Sequence, residues 1–333
     1  MYSWAFGLSI ESDARIPGLI PTHAPTSTGG GVLRVYFDAN PPGLDGARDE
    51  GIPWPAGQTT NATARTTRAL AGGRWIAIDF PDGVRFIVRR DGHEIWFRRP
   101  AAFSMEYVAI YLLGPVIGLA LRLRSMLCLH ASAISIAGHA ITLVGAAQSG
   151  KSTTAAALSR RGLPVLADDI AVIDIEPDGP RVRPSYPRLR LWPDSSTMVF
   201  GPAVELERLT ADWDKRFLDL SWNTSVFAAG AGLLSAIYVL ADRAAVKAPA
   251  IEKLSSKKGL LALIANSYGN LFLDEAMRRH EFAALARLAH EVPIFLATPS
   301  ADPAQLDKLC DLLIVHATTM SPGAAAISSL ANR

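Results

Sequence analysis

The chain has 333 residues, 49% of them hydrophobic and 19% charged, which excludes a disordered or fibrous protein and leaves room for one large domain or two ordinary ones. Its net charge of +2 leaves no basic excess, so neither nucleic acid nor an anionic membrane is expected as a partner. Two isolated cysteines, Cys128 and Cys310, make neither a disulfide framework nor a metal-type spacing. They point to a reducing cytoplasm. The first sixteen residues carry acids and no basic run, so no signal peptide is expected.

Residues 1–100 read as a β-rich N-terminal domain. Strands are expected over 5–10, 32–37, 75–80, 84–89 and 94–98, the last three forming a meander with two-residue turns at Asp82-Gly83 and Asp91-Gly92. Residues 39–73, rich in Pro, Gly, Thr and Ala, read as a long loop. Residues 101–125 read as a connecting helix. Its stretch 105–121 is almost wholly apolar, contains Glu106 and a Gly114-Pro115 break, and precedes Arg122 and Arg124. That is the lower limit for crossing a membrane, and a buried helix kinked at Pro115 is the expectation.

From residue 126 the pattern becomes mixed α/β, giving a second domain over 126–320 and a tail over 321–333. Strands are expected over 127–130, 132–136, 140–144, 163–167, 170–175, 181–186, 188–192, 234–240 and 293–297. Helices are expected from Ser152 to Arg161 and over 257–267, 278–290 and 303–316. No internal repeat or low-complexity tract appears.

The segment Gly145-Ala146-Ala147-Gln148-Ser149-Gly150-Lys151-Ser152 fits the phosphate-loop pattern G-x-x-x-x-G-K-[ST] at every fixed position. A strand-like run leads in and a helix-like run leads out, the context in which loop amides and a helix N-terminus converge on an anion. Lys151 would then reach the β- and γ-phosphates, and the Ser152 hydroxyl would bind Mg²⁺. The alternative is an ordinary glycine-rich turn. Asp168-Asp169 follows an apolar run seventeen residues after Lys151. One carboxylate can hold Mg²⁺ and the other can take a proton from an attacking hydroxyl; a polar helix cap or an exposed acid pair is the alternative. His130, at the end of a strand-like run, could tune proton transfer or be a hydrogen-bonded core residue.

Leu129-His130-Ala131-Ser132, the loop through Ser152, and Arg161-Gly162-Leu163-Pro164-Val165-Leu166-Ala167-Asp168-Asp169 together resemble the catalytic core of the HPr kinase/phosphorylase family. The resemblance is strong over 126–192 and weaker to about 316. It implies an α/β P-loop catalytic domain, like that of PEP carboxykinase and HPr kinase, behind the β-rich N-terminal domain. It also implies ATP and Mg²⁺ as cofactors. Residues Gly145 to Thr153 would bind the nucleotide, Ser152 and Asp169 the metal. Asp168 would deprotonate the acceptor serine with support from His130. Arg190 would offset charge on the transferring phosphoryl group beside Lys151; a solvated strand face is the other reading of Arg188 and Arg190.

Two departures qualify the resemblance. Thr153 stands where HPr kinases usually carry Glu, and Arg188-Leu189-Arg190-Leu191 replaces the Glu-Val-Arg-Gly signature tied to phosphorolysis. The whole chain looks more like the HPr-kinase-like proteins encoded with bacterial lasso-peptide precursors, through Phe6-Gly7-Leu8, Glu11-Ser12, Leu112-Leu113-Gly114-Pro115, Cys128 to Ser132 and Arg190-Leu191-Trp192-Pro193. That group phosphorylates a precursor's C-terminal serine, so the expected partner is a peptide or small protein carrying an acceptor serine. A kinase for HPr or for a small hydroxyl compound, and a nucleotide-binding regulator without turnover, are the alternatives. HPr kinases are hexamers, which makes a homo-oligomer one option here. Lys215 and Arg216 could contact a substrate carboxylate or phosphate, or be surface charges.

Overall fold

The computed structural model describes residues 1–24, 30–44, 51–55, 65–210, 213–221, 226–245 and 248–320. It is a mixed α/β structure with large sheets. The chain divides into two compact units, one comprising Met1–Cys128 with Tyr268–Glu281, the other Leu129–Ser267 with Phe282 onward. The 321–333 tail lies outside the described residues.

The first unit is built on a nine-stranded sheet. The expected single strand over 5–10 is instead a hairpin, Tyr2–Ala5 pairing antiparallel with Leu8–Ser12. Phe6 (φ 57°) and Gly7 (φ 71°) turn it, the two positive φ values that match a right-twisted ribbon. Leu8–Ser12 runs parallel to Val32–Tyr36, which runs parallel to Glu94–Arg98. The meander Trp75–Asp79, Arg85–Arg89 and Glu94–Arg98 forms as expected. The stretch read as a long loop over 39–73 contains a real strand, Thr66–Leu70, paired antiparallel along Trp75–Asp79. Its threonines fit a half-buried pleat, but the Gly- and Pro-rich surroundings obscured the pattern. Residues 45–50 and 56–64 of that stretch lie outside the described residues.

The apolar segment is helical over Met105–Tyr111 and Ile117–Leu123, with a wide turn, Leu112–Val116, between them. Pro115 lacks the N–H that a regular turn needs, and Gly114 leaves helical geometry (φ −118°, ψ −108°), so the kink falls where expected. Met105–Leu123 is apolar and long enough to cross a membrane by composition alone, yet 72% of its most apolar window is buried. Phe80 stacks on Tyr111 at 3.9 Å between ring centroids, and both Tyr107 and Tyr111 donate hydrogen bonds to Asp82. Tyr268 lies against Gly118, where an added Cβ would meet its ring at 2.3 Å. Buried Arg122 pairs with buried Glu281. These contacts tie Tyr268–Glu281 to the first unit.

The second unit is organised around the strand His139–Val144. Ala131–Ile136 pairs with it antiparallel on one side, and Gly232–Leu240 parallel on the other. Ile294–Thr298 continues the parallel run beyond Gly232–Leu240, and Val165–Ala167 lies antiparallel along Ala131–Ile136. The directions decide the chemistry. Val165–Ala167 and His139–Val144 both run toward one end of the sheet, while Ala131–Ile136 starts there. Gly145, Asp168 and His130 therefore emerge at the same end, although the sequence separates them.

The helix Lys151–Arg160 follows the loop, with Ala155, Ala156, Ala157 and Leu158 almost fully buried. Small side chains let it approach its neighbours closely. A separate three-stranded sheet joins Arg188–Leu191, Trp213–Asp219 and Arg208–Thr210, all antiparallel. The helix Pro193–Phe200 and the strands Arg208–Thr210, Trp213–Asp219 and Ala250–Lys253 were not expected from the sequence. Both cysteines are buried and free.

Candidate functional site

The glycine-rich loop lies between its strand and helix as the pattern requires. Gly145 has φ 152°, and a Cβ there would stand 2.7 Å from Ser149 Oγ and 2.8 Å from the Leu240 carbonyl oxygen, so only glycine fits. Gly150 starts the helix in a left-handed conformation and has no side chain to cap it. The first intrahelical bond is Thr154 N–H to Gly150 O, so the amides of Lys151, Ser152 and Thr153 point outward without intrahelical acceptors. With the helix dipole behind them, they favour an anion.

Lys151 is only 7% exposed, and its ammonium donates to the carbonyls of Gly145 (2.8 Å) and Ala146 (2.9 Å). One of its three N–H donors remains for a ligand. Burial, the largest effect, pushes the Lys151 pKa below its ordinary value, and Asp168 and Asp169 partly oppose that shift. Ser152 Oγ donates to Asp168 Oδ1 at 2.9 Å. Its proton is thereby occupied and its lone pairs face outward.

The two adjacent aspartates stand in different surroundings. Asp168 is 4% exposed and accepts three hydrogen bonds: Ser132 Oγ (2.6 Å), Ser152 Oγ (2.9 Å) and the Arg190 amide (3.1 Å). Asp169 has φ 68° and sits at the centre of a tight turn closed by Ile170 N–H to Asp168 O at 2.8 Å. This conformation is sparsely populated for a non-glycine residue and costs about 1–3 kcal/mol. It leaves the Asp169 side chain 29% exposed, 3.5 Å from His130 Nε2 and 3.8 Å from Arg190 Nη1. Arg190 also donates to Tyr186 OH at 3.1 Å.

These groups line a cleft of about 800 Å³, together with Trp192, Lys215 and Arg243. The structure thus brings His130, Lys151, Ser152, Asp168, Asp169 and Arg190 into one place. Among the described residues no group of three His, Cys, Asp or Glu side chains could hold a metal by itself. The Ser152–Asp168 corner offers two hard oxygens, which suits Mg²⁺ held jointly by protein and phosphates rather than by a protein cage.

Several contacts that hold the site were not anticipated from the sequence. Ser132 reaches Asp168 from the neighbouring strand. Thr153 Oγ1 donates to Ser195 Oγ at 2.8 Å, tying the loop helix to Pro193–Phe200, a helix whose Pro at its first turn and Asp194 were a legible start signal. Asn266 holds the loop from a distance of 121 residues in sequence: its Oδ1 accepts the Gly145 N–H at 2.9 Å. The His130 N–H donates to the Asn266 carbonyl at 2.8 Å, so one residue fixes both the loop entry and the histidine. Asn266→Ala is expected to destabilise the protein by about 1–3 kcal/mol, since a buried amide loses its acceptor. Thermal denaturation would show the lower Tm.

Burial, and next the Lys151 charge, push the His130 pKa below its ordinary 6.5. The unfolded chain therefore binds more protons than the folded one between the folded value and 6.5, and stability falls as the pH drops through that window. His316, also lowered by burial, adds a change of the same sign. Denaturation at about pH 7 and about pH 5 should show a smaller loss of Tm for His130→Gln than for the unaltered chain.

No family model and no curated protein matches the chain. Among solved structures it is similar to the HPr(Ser) kinase/phosphatase from Coxiella burnetii, at 12% identity, over 58% of this chain and 97% of that one, with a TM-score of 0.34. At that overlap the likeness carries no argument, and the chemistry rests on the residues of the site.

Proposed function

We propose that this chain is an ATP- and Mg²⁺-dependent phosphotransferase that acts on a serine hydroxyl of a peptide or small protein in the cytoplasm. The observation that carries the reading is the convergence of outward amides, the Lys151 ammonium and the Ser152–Asp168 pair at one end of a cleft that also holds Asp169, His130 and Arg190. The finer assignment, the C-terminal serine of a lasso-peptide precursor, rests on the sequence resemblance.

The phosphates would lie on the loop amides and Lys151. Ser152 Oγ and Asp168 would hold Mg²⁺, which would neutralise charge on the β- and γ-phosphate oxygens. The acceptor oxygen attacks the γ-phosphorus in line, forming the new P–O bond as the bond to the β,γ-bridging oxygen breaks and ADP leaves with the electron pair. The acceptor proton passes to a carboxylate. The resemblance assigns that step to Asp168 and the metal to Asp169, but the hydrogen bonds favour exchanging the roles. Asp168 gives three of its roughly four acceptor sites to protein donors and keeps one for the metal, whereas Asp169 opens to the cleft beside His130. Neutral His130 orients Asp169 without cancelling its charge, and Arg190 offsets charge on the moving phosphoryl group.

The test is mass spectrometry of the purified chain with ATP, Mg²⁺ and two acceptors, a precursor peptide ending in serine and HPr. A gain of about 80 Da on the peptide's serine, the mass of one phosphoryl group, supports the reading. Transfer to HPr alone would replace the peptide acceptor with HPr. Transfer to neither, with ATP still bound, would count against the proposed acceptors and favour a regulator.

A further inference from the structure

Part of the cleft wall has no role in the transfer step. Lys215 lies on Trp213–Asp219, the strand paired with Arg188–Leu191, which carries Arg190. Its ammonium stands 5.3 Å from the centroid of Trp192 and 5.5 Å from that of Trp213. Both indoles are exposed, at 39% and 36%. Among the described residues no carboxylate pairs with Lys215, and its neighbour Asp214 lies 3.9 Å from Arg208 instead. Two aromatic faces restrain a long, flexible side chain and attract its charge without neutralising it. The cation is therefore positioned and, among the described residues, not matched by a carboxylate.

Lys215 lines the same cleft as Lys151, His130 and Asp169. Its charge acts on the site, adding to the lowering of the pKa of both His130 and Lys151. An oxyanion is the complement it lacks. Two sources present one here: the nucleotide's phosphates, or the acceptor. The phosphates already have the loop amides, the helix N-terminus and Lys151. Lys215 instead has two exposed indoles around it, rigid apolar surfaces of the kind that bear on a peptide chain at recognition sites. The acceptor hydroxyl must reach the γ-phosphate in the same cleft that Lys215 lines, so the anion that meets Lys215 belongs to the residue bearing the hydroxyl or to a near neighbour. A chain-end carboxylate meets that requirement.

We propose that Lys215, held between Trp192 and Trp213, anchors the C-terminal carboxylate of the acceptor peptide, with the two indoles bearing on the residues that precede it. The inference rests on the phosphotransferase reading for the groups around it and adds the feature by which the acceptor is recognised.

The test is calorimetric binding of a short serine-terminated peptide, as the free acid and as the C-terminal amide, to the full chain with ADP and Mg²⁺. The unaltered protein should bind the acid at least about tenfold more tightly than the amide, the range of a hydrogen bond to a charged group. Lys215→Met should bring that ratio to about one, Lys215→Arg should retain most of it, and ATP affinity should stay within about twofold in both. Equal binding of acid and amide by the unaltered protein, binding of neither, or a preference that survives Lys215→Met would overturn the proposal. So would a loss of more than about tenfold in ATP affinity on Lys215→Met, which would assign the lysine to the phosphates. Phosphate transfer is scored separately: a Lys215-dependent acid preference with no transfer would leave the anchor standing and sink the phosphotransferase reading.

Discussion

Asp169→Asn is expected to lower kcat for serine phosphorylation by about a hundredfold to ten-thousandfold while leaving ATP affinity nearly unchanged. The carboxylate is open to the cleft, and the substitution keeps its shape while removing its capacity to take a proton. Asp168→Asn should behave differently. Its carboxylate accepts from Ser132, Ser152 and the Arg190 amide, so an amide side chain there must turn one N–H donor toward a donor or give up one of the three bonds. Loss of stability by about 1–3 kcal/mol and weaker Mg²⁺-dependent ATP binding should accompany any loss of rate. Steady-state kinetics, ATP titration and denaturation on both variants separate the roles. If Asp168→Asn lost kcat alone, with unchanged Tm and ATP affinity, and Asp169→Asn lost neither, the proton would belong to Asp168, as the sequence resemblance implies.

Two adjacent, identical residues could not be told apart in the sequence because their difference lies in the backbone. Asp169 occupies a positive φ, which turns its side chain away from the partners that surround Asp168. The loop was legible because its pattern combines a lysine and a hydroxyl with glycines, and Gly145 packs where any Cβ would collide with Ser149 and a strand carbonyl. The meeting of His130, Gly145 and Asp168 was legible only in outline. It follows from strand directions, which apolar runs do not encode, and here an antiparallel strand starts where two others end. The strand Trp213–Asp219 gave little warning, since none of its residues is buried and charged residues lie on both sides of the alternation. Asn266 gave none, because it acts on a backbone amide and no pattern of side chains records such a bond.

Lys151→Met is expected to reduce kcat/KM by about a hundredfold to a thousandfold, equivalent to about 3–4 kcal/mol of transition-state stabilisation, with a matching loss of ATP affinity. The same change should leave Tm unchanged or slightly higher. Lys151 is buried, burial lowers its pKa, its ammonium donates to two carbonyls of its own loop, and Asp168 and Asp169 offset its charge only in part. Folding therefore bears the desolvation of a cation whose opposite charge is incomplete, and an apolar side chain of similar length removes that cost. A residue that lowers stability and is essential for turnover is what a phosphate site requires, because the charge is fully matched only when the anion arrives. Denaturation and kinetics on one preparation decide the matter. A large fall in Tm with ATP affinity retained would make Lys151 a structural brace for the loop and remove the main support for a nucleotide site.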